Sequence, residues 1–155
     1  MAKNKKLSYI TKSPDQTKEL GAILAKTVLE GGPRRRAFVL ALRGDLGAGK
    51  TQLVQGFAKG LGIKGTVNSP TFVIFKKYPI GEIGRGFKTF YHIDCYRLGA
   101  AEDLEVLGIA DIFADPGNIV AIEWPDIAKA NLRKNFLKID LEVAGDDDRR
   151  VVVEF

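Results

Sequence analysis

The apolar positions of this chain change period several times along its length, and each change marks an element. Leu20, Ile23, Leu24, Thr27 and Val28 recur at three- and four-residue steps, the spacing of one helical face. Ser13-Pro14-Asp15 reads as the start of that helix: a hydroxyl able to cap, a proline suited to the first turn and a carboxylate that complements the dipole. Gly31-Gly32-Pro33 ends it. Residues 36–42 are then almost wholly apolar, as in a parallel strand buried on both faces. The helical period returns over residues 51–61, with Leu53, Val54, Phe57 and Leu61 on one side.

Further on the pattern favours strands. Residues 72–78 and 87–95 are candidate strands separated by the glycine-rich stretch 79–86, which predicts an antiparallel hairpin. Residues 136–143 alternate through Phe136, Leu137, Ile139, Leu141 and Val143, and the turn 145–148 leads into a last strand over 150–155, a second hairpin. Residues 118–123 repeat the buried-strand pattern, and 7–11 is a weaker strand candidate. Short helices are expected at 100–107, 109–113 and 127–132. The sum is one α/β domain over residues 1–155, with a mixed sheet, parallel at its centre and with antiparallel edge hairpins. Ligands in such sheets sit at the carboxyl ends of the strands.

Composition narrows the class. At 155 residues the chain is long enough for a substantial single core. Its 45% hydrophobic and 28% charged residues are those of a globular protein. No apolar run approaches a membrane span, and the basic N-terminus has no apolar stretch of a secretory signal behind it. The single cysteine, Cys95, precludes an internal disulfide, and with the single histidine, His92, leaves no zinc set. The expected location is the cytoplasm. The net charge of +5 is compatible with a nucleotide site, with RNA nearby, or with plain solubility.

Residues 44–51 carry the chemistry. Gly44-Asp45-Leu46-Gly47-Ala48-Gly49-Lys50-Thr51 is the Gly-x-x-x-x-Gly-Lys-Thr pattern of a phosphate-binding P-loop. Its glycines allow turns in which backbone N–H groups converge on an anion. Lys50 is expected to reach the β- and γ-phosphates, Thr51 to ligate Mg²⁺, and the following helix, with Gln52 in its first turn, to add its dipole. The flanking strand and helix are the context this motif requires.

Hydrolysis needs a second metal-directed acid and a group that positions the nucleophile. Asp94, near the end of the 87–95 strand, is the candidate for the first role, against the alternative of a turn-capping aspartate. Glu123, directly after a buried strand and followed by Trp124-Pro125, is the candidate for orienting water. Asp126 competes with it but follows a proline that places it in a helix start. Asn68-Ser69-Pro70-Thr71 is either a switch-like segment that senses the γ-phosphate or an ordinary loop. His92 points to the same side of its strand as Asp94 and is expected to be structural.

The ordered set Gly-Asp-Leu-Gly-Ala-Gly-Lys-Thr, Ser-Pro-Thr-Phe, His-Ile-Asp-Cys-Tyr-Arg-Leu and Glu-Trp-Pro, preceded by Thr17-x-x-Leu20-Gly21, resembles the TsaE (YjeE) family over essentially the whole chain. The resemblance implies a P-loop ATPase of bacterial tRNA threonylcarbamoyladenosine biosynthesis. Such an ATPase is weak alone, uses ATP and Mg²⁺, and works with the TsaD and TsaB proteins that modify adenosine 37. It reaches tRNA through that complex. By motif, Gly44, Asp45, Leu46, Gly47, Ala48, Gly49, Lys50, Thr51, Gln52, Thr17 and Thr71 belong to the nucleotide site. Thr51, Asp94 and Glu123 belong to the metal, and Lys50 and Glu123 to catalysis.

Two rival enzymes lack their marks: there is no Asn-Lys-x-Asp guanine reader, and Arg34-Arg35-Arg36 precedes the P-loop strand, the wrong place for a kinase lid. A nucleotide-dependent interaction module without turnover remains compatible with the residues alone.

Overall fold

The computed structural model describes residues 4–68, 75–129, 132 and 136–155. Among them the chain runs β1 (Lys6–Thr11), α1 (Pro14–Gly31), β2 (Phe38–Arg43), α2 (Lys50–Gly60), β3 (Phe75–Pro79), β4 (Thr89–Asp94), α3 (Ala101–Val106), α4 (Ile109–Ala114), β5 (Asn118–Glu123), β6 (Leu137–Val143) and β7 (Arg149–Glu154). Two single 3₁₀ turns, Glu82–Gly84 and Pro125–Ala128, sit in connections.

All seven strands form one sheet in the order β1-β7-β6-β2-β5-β4-β3. Strands β6, β2, β5 and β4 are mutually parallel. The hairpins β3–β4 and β6–β7 are antiparallel, and β1 adds antiparallel to β7. The parallel centre and antiparallel edges are therefore as the sequence predicts. Strand β5 is buried at every position and β2 at four of six, because each has neighbours on both edges and a layer on each face.

Alternation divides the core. Leu40 and Leu42 of β2, Ile119 and Ala121 of β5 and Phe90 of β4 join the cluster formed with α1 and α2. Val39, Ala41, Val120, Ile122 and Ile93 face the other way, against α3 and α4. By the two-residue period, His92, Asp94 and Glu123 share the α1/α2 face.

Helix α1 begins as expected, with the Ser13 hydroxyl accepting from the Gln16 N–H at 3.1 Å. Its buried face is rotated from the predicted stripe. Ile23 is 60% exposed and Thr27 is also exposed, whereas Thr17, Gly21 and Ala25 are buried. The cause is close packing of α1 on α2. A Cβ on Gly60 would lie 2.7 Å from both the Ala22 carbonyl oxygen and the Ala25 Cβ. One on Gly56 would strike the Lys18 carbonyl, and one on Gly21 the Leu53 carbonyl. Small residues lead this contact, so a reading weighted to large apolar residues misplaces its centre.

Of the helix expected at 127–132, Ile127 and Ala128 fall in the 3₁₀ turn Pro125–Ala128 and the Leu132 N–H donates to the Ala128 carbonyl at 3.0 Å, while residues 130 and 131 lie outside the described residues. The strand predicted at 72–78 is described from Phe75 onward. No described helix is long and apolar enough to cross a membrane.

Candidate functional site

Strand β2 ends at Arg43, and the chain turns through Gly44 to Gly49 before α2 starts at Lys50. Gly47 and Gly49 take φ of 82° and 97°, left-handed values costly for residues with a Cβ. At Gly44 a Cβ would lie 2.7 Å from the Leu141 carbonyl oxygen, so the loop also packs against β6. The Ala48 N–H closes the turn on the Asp45 carbonyl at 3.0 Å. Gly49 caps α2 with no side-chain hydrogen bond, in contrast to Ser13 on α1. The cap residue of α2 thus offers its first N–H groups no side-chain acceptor, and the positive end of the helix dipole meets the cleft.

That cleft, of about 320 Å³, is lined by Pro14, Thr17, the loop from Asp45 to Gln52, Asp94, Tyr96, Glu123, Trp124, Asp147 and Arg149. It brings together every predicted site residue that is described except Gly44, which packs against Leu141 of β6. Thr71, with Ser69 and Pro70, lies outside the described residues.

The Lys50 side chain turns back along the loop. Its ammonium donates to the Gly44 carbonyl and, at 3.3 Å, to the Asp45 carbonyl, and lies 4.3 Å from the centre of the Trp124 ring. Lys50 is only 6% exposed, and desolvation lowers its pKa from 10.5 against the opposing pull of Glu123, Asp94 and Asp45. Thr17, from α1, hydrogen-bonds Thr11 at 2.7 Å through the hydroxyls and sets its methyl against Gly49.

The two acids emerge side by side, because Asp94 of β4 is the register partner of Glu123 of β5. The Asp94 carboxylate accepts from the Tyr96 N–H at 2.9 Å. Glu123, 3% exposed, pairs with the His92 Nε2 at 2.7 Å. Trp124, next in the chain, holds φ of 54°, an uncommon value for a bulky residue. That turn sets its indole against Tyr96, with ring centres 5.1 Å apart, and over Lys50. Asp126 faces away from this chemistry. It lies in the first turn of the 3₁₀ segment that Pro125 opens, as its proline predicts, and pairs with Arg43 at 2.9 Å.

Sequence reasoning missed Arg149 and Tyr96, and marked Trp124 only by its place beside Glu123. Arg149 reaches from β7 to the Gly47 carbonyl at 3.1 Å and anchors itself on the Asp146 and Asp148 carbonyls. Tyr96 and Trp124 form the aromatic wall. The Asp residues at 146–148 were a signal of a turn, but nothing in local spacing ties that turn to a loop a hundred residues earlier. The adjacency of Trp124 to Glu123 was the one legible hint.

The model of the family described as threonylcarbamoyl adenosine biosynthesis protein TsaE matches residues 11–151. The chain belongs to the TsaE family. A TsaE-family relative from Bacillus subtilis (strain 168), the tRNA threonylcarbamoyladenosine biosynthesis protein TsaE, is 38% identical over 95% of this chain and 84% of its own. The TsaE of Treponema pallidum (strain Nichols) is 33% identical over 93% of this chain and 97% of its own. Among solved structures, Bacillus subtilis YdiB matches with a TM-score of 0.76 at 32% identity, over 99% of this chain and 88% of that one.

Proposed function

We propose that this protein binds and hydrolyses ATP as the nucleotide-driven component of tRNA threonylcarbamoyladenosine modification at adenosine 37. In this reading it is a partner-activated switch for TsaD and TsaB. One observation carries the reading: an uncapped helix N-terminus, a lysine and two strand-end carboxylates meet in a single cleft. The loop N–H groups and Lys50 bind the β- and γ-phosphates, and Lys50 exchanges the Gly44 and Asp45 carbonyls for phosphate oxygens. Thr17 and Gln52 border the same phosphate pocket.

Mg²⁺ on a nucleotide site keeps waters and phosphate oxygens and asks the protein for only one or two oxygen ligands. The Thr51 hydroxyl and Asp94 suit that demand, with Glu123 beside them. Bound there, the ion neutralises charge on the phosphates. Glu123 orients the attacking water and accepts its proton. Trp124 and Tyr96 shield the lysine side of the cleft from water.

A partner that binds the triphosphate form more tightly than the diphosphate form is itself biased by hydrolysis. The test measures TsaD–TsaB affinity and turnover with ATP, a non-hydrolysable analogue and ADP. Tighter assembly with triphosphate and faster turnover in the assembly are expected. Equal affinity in all three states, without stimulation, refutes the switch.

A further inference from the structure

His92 is fully buried at 0% exposure in the middle of β4, on the sheet face that carries α1 and α2. Its strand neighbour in register is Ala121, and the imidazole reaches past it to Glu123 two residues further along β5. Nε2 lies 2.7 Å from a Glu123 carboxylate oxygen. Nδ1 is buried with no hydrogen-bond partner among the described residues.

That asymmetry is informative. A buried histidine kept for structure normally satisfies both ring nitrogens. This one has no partner for Nδ1 among the described residues, and its hydrogen bond goes to the carboxylate at the cleft. An apolar side chain at the same place would bury no orphan nitrogen. Glu123, for its part, enters the cleft from a strand end with almost no solvent around it, so its orientation is set by its neighbours.

We propose that His92 is a positioning residue for Glu123, its Nε2–H fixing one carboxylate oxygen so that Glu123 meets the cleft in a single orientation. The inference rests on the proposed role of Glu123 in orienting water. An ionised carboxylate only accepts hydrogen bonds, so towards it Nε2 is the donor. The arrangement parallels the outer partners that orient ligands at metal sites, whose loss costs about 10–100-fold.

The test compares His92→Leu, which keeps a buried apolar body and removes the donor, with His92→Gln, whose amide nitrogen restores one near Nε2. With TsaD and TsaB present, His92→Leu is expected to lower kcat about 10–100-fold. KM and the dissociation constant for nucleotide should stay within about twofold, the sign of an interaction used in the transition state. His92→Gln recovers most of the rate. In a Glu123→Ala background His92→Leu costs nothing further, because the two act as a unit. Crystal structures of wild type and His92→Leu should show Glu123 in one orientation in the first and displaced or multiple in the second.

Wild-type kcat in His92→Leu, or an unmoved Glu123 in its crystal structure, overturns the proposal. So does a parallel loss of melting temperature, KM and kcat that the glutamine restores only in step with stability. Should His92→Leu fail to fold, a folded His92→Gln that loses the Glu123 orientation decides against it, and one that keeps orientation and rate decides for it. If the wild type itself never turns over ATP, the ATPase reading fails, and the crystallographic comparison still settles the role of His92.

Discussion

Lys50 shows how a single side chain combines a structural cost with a proposed use. Its ammonium is held out of water by Trp124 and by two carbonyls of its own loop. Desolvation, the largest influence, lowers its pKa below 10.5. The folded protein therefore releases this proton at lower pH than the unfolded chain does. Between the lowered value and 10.5 the unfolded state binds more protons, so Lys50 makes stability rise with pH across that window. Phosphate affinity should run the opposite way. ATP binding measured from neutral pH upward is expected to weaken with a midpoint below 10.5, and a pH-independent affinity over that span would contradict it. Lys50→Ala, losing charge-assisted hydrogen bonds of about 1.5–3 kcal/mol, should weaken ATP roughly 10–100-fold by calorimetry.

Cys95 behaves differently. Burial, then the charge of Asp94, pushes its thiol up to about 12 from 9.0. Its contribution to stability is complete below 9.0 and is lost as pH rises towards 12. A thiol that is both buried and protonated should resist iodoacetamide in the folded protein and react fully after denaturation. Mass spectrometry that finds native labelling as fast as for an exposed cysteine would rule this out.

At the scale of elements, the junction of α1 with α2 governs where the P-loop helix sits. Gly21, Gly56 and Gly60 let the two backbones approach, and Thr17 on α1 then touches the Gly49 turn. A methyl at position 56 meets the Lys18 carbonyl, which belongs to a helix backbone and cannot simply rotate away. Gly56→Ala is expected to destabilise the fold by about 1–3 kcal/mol through overpacking, despite the better helix propensity of alanine. Urea unfolding measures this, and a neutral or stabilising result would mean that α1 is free to move. The second junction is the β6–β7 hairpin. Arg149 ties it to Gly47, and Lys12 pairs with Asp148 at 2.8 Å, so two distant segments brace the same loop.

At the scale of the whole molecule, the proposed ligand binds where α2, β4, β5 and β7 meet, so binding should stabilise the fold as a unit. A ligand specific for the native state at a hundred times its dissociation constant adds about 2.7 kcal/mol. For a domain of this size each kcal/mol raises Tm by about 2–4 °C. A melt with and without Mg²⁺ and ATP should therefore shift by roughly 5–10 °C, and Lys50→Ala should remove most of that shift. No shift in the wild type would count against ATP at this cleft.

The amino-acid sequence by itself determined the features with short-range causes. The P-loop, the strand before it and the helix after it follow from glycine placement and from a change of hydrophobic period within residues 36–61. Both hairpins follow from alternation around a turn, and Asp94 and Glu123 are legible because each stands at a strand end. Tertiary structure decided the rest. The order β6-β2-β5-β4 makes Asp94 and Glu123 neighbours, and only that pairing lets His92 reach Glu123 from the adjacent strand. The rotation of α1, which exposes Ile23 and buries Gly21, depends on how closely another helix can approach. Arg149 enters the cleft from the far end of the chain. Local periodicity reports which face of an element is buried, but not what buries it. Partners far apart in sequence are chosen by packing and register, which no window of the sequence contains.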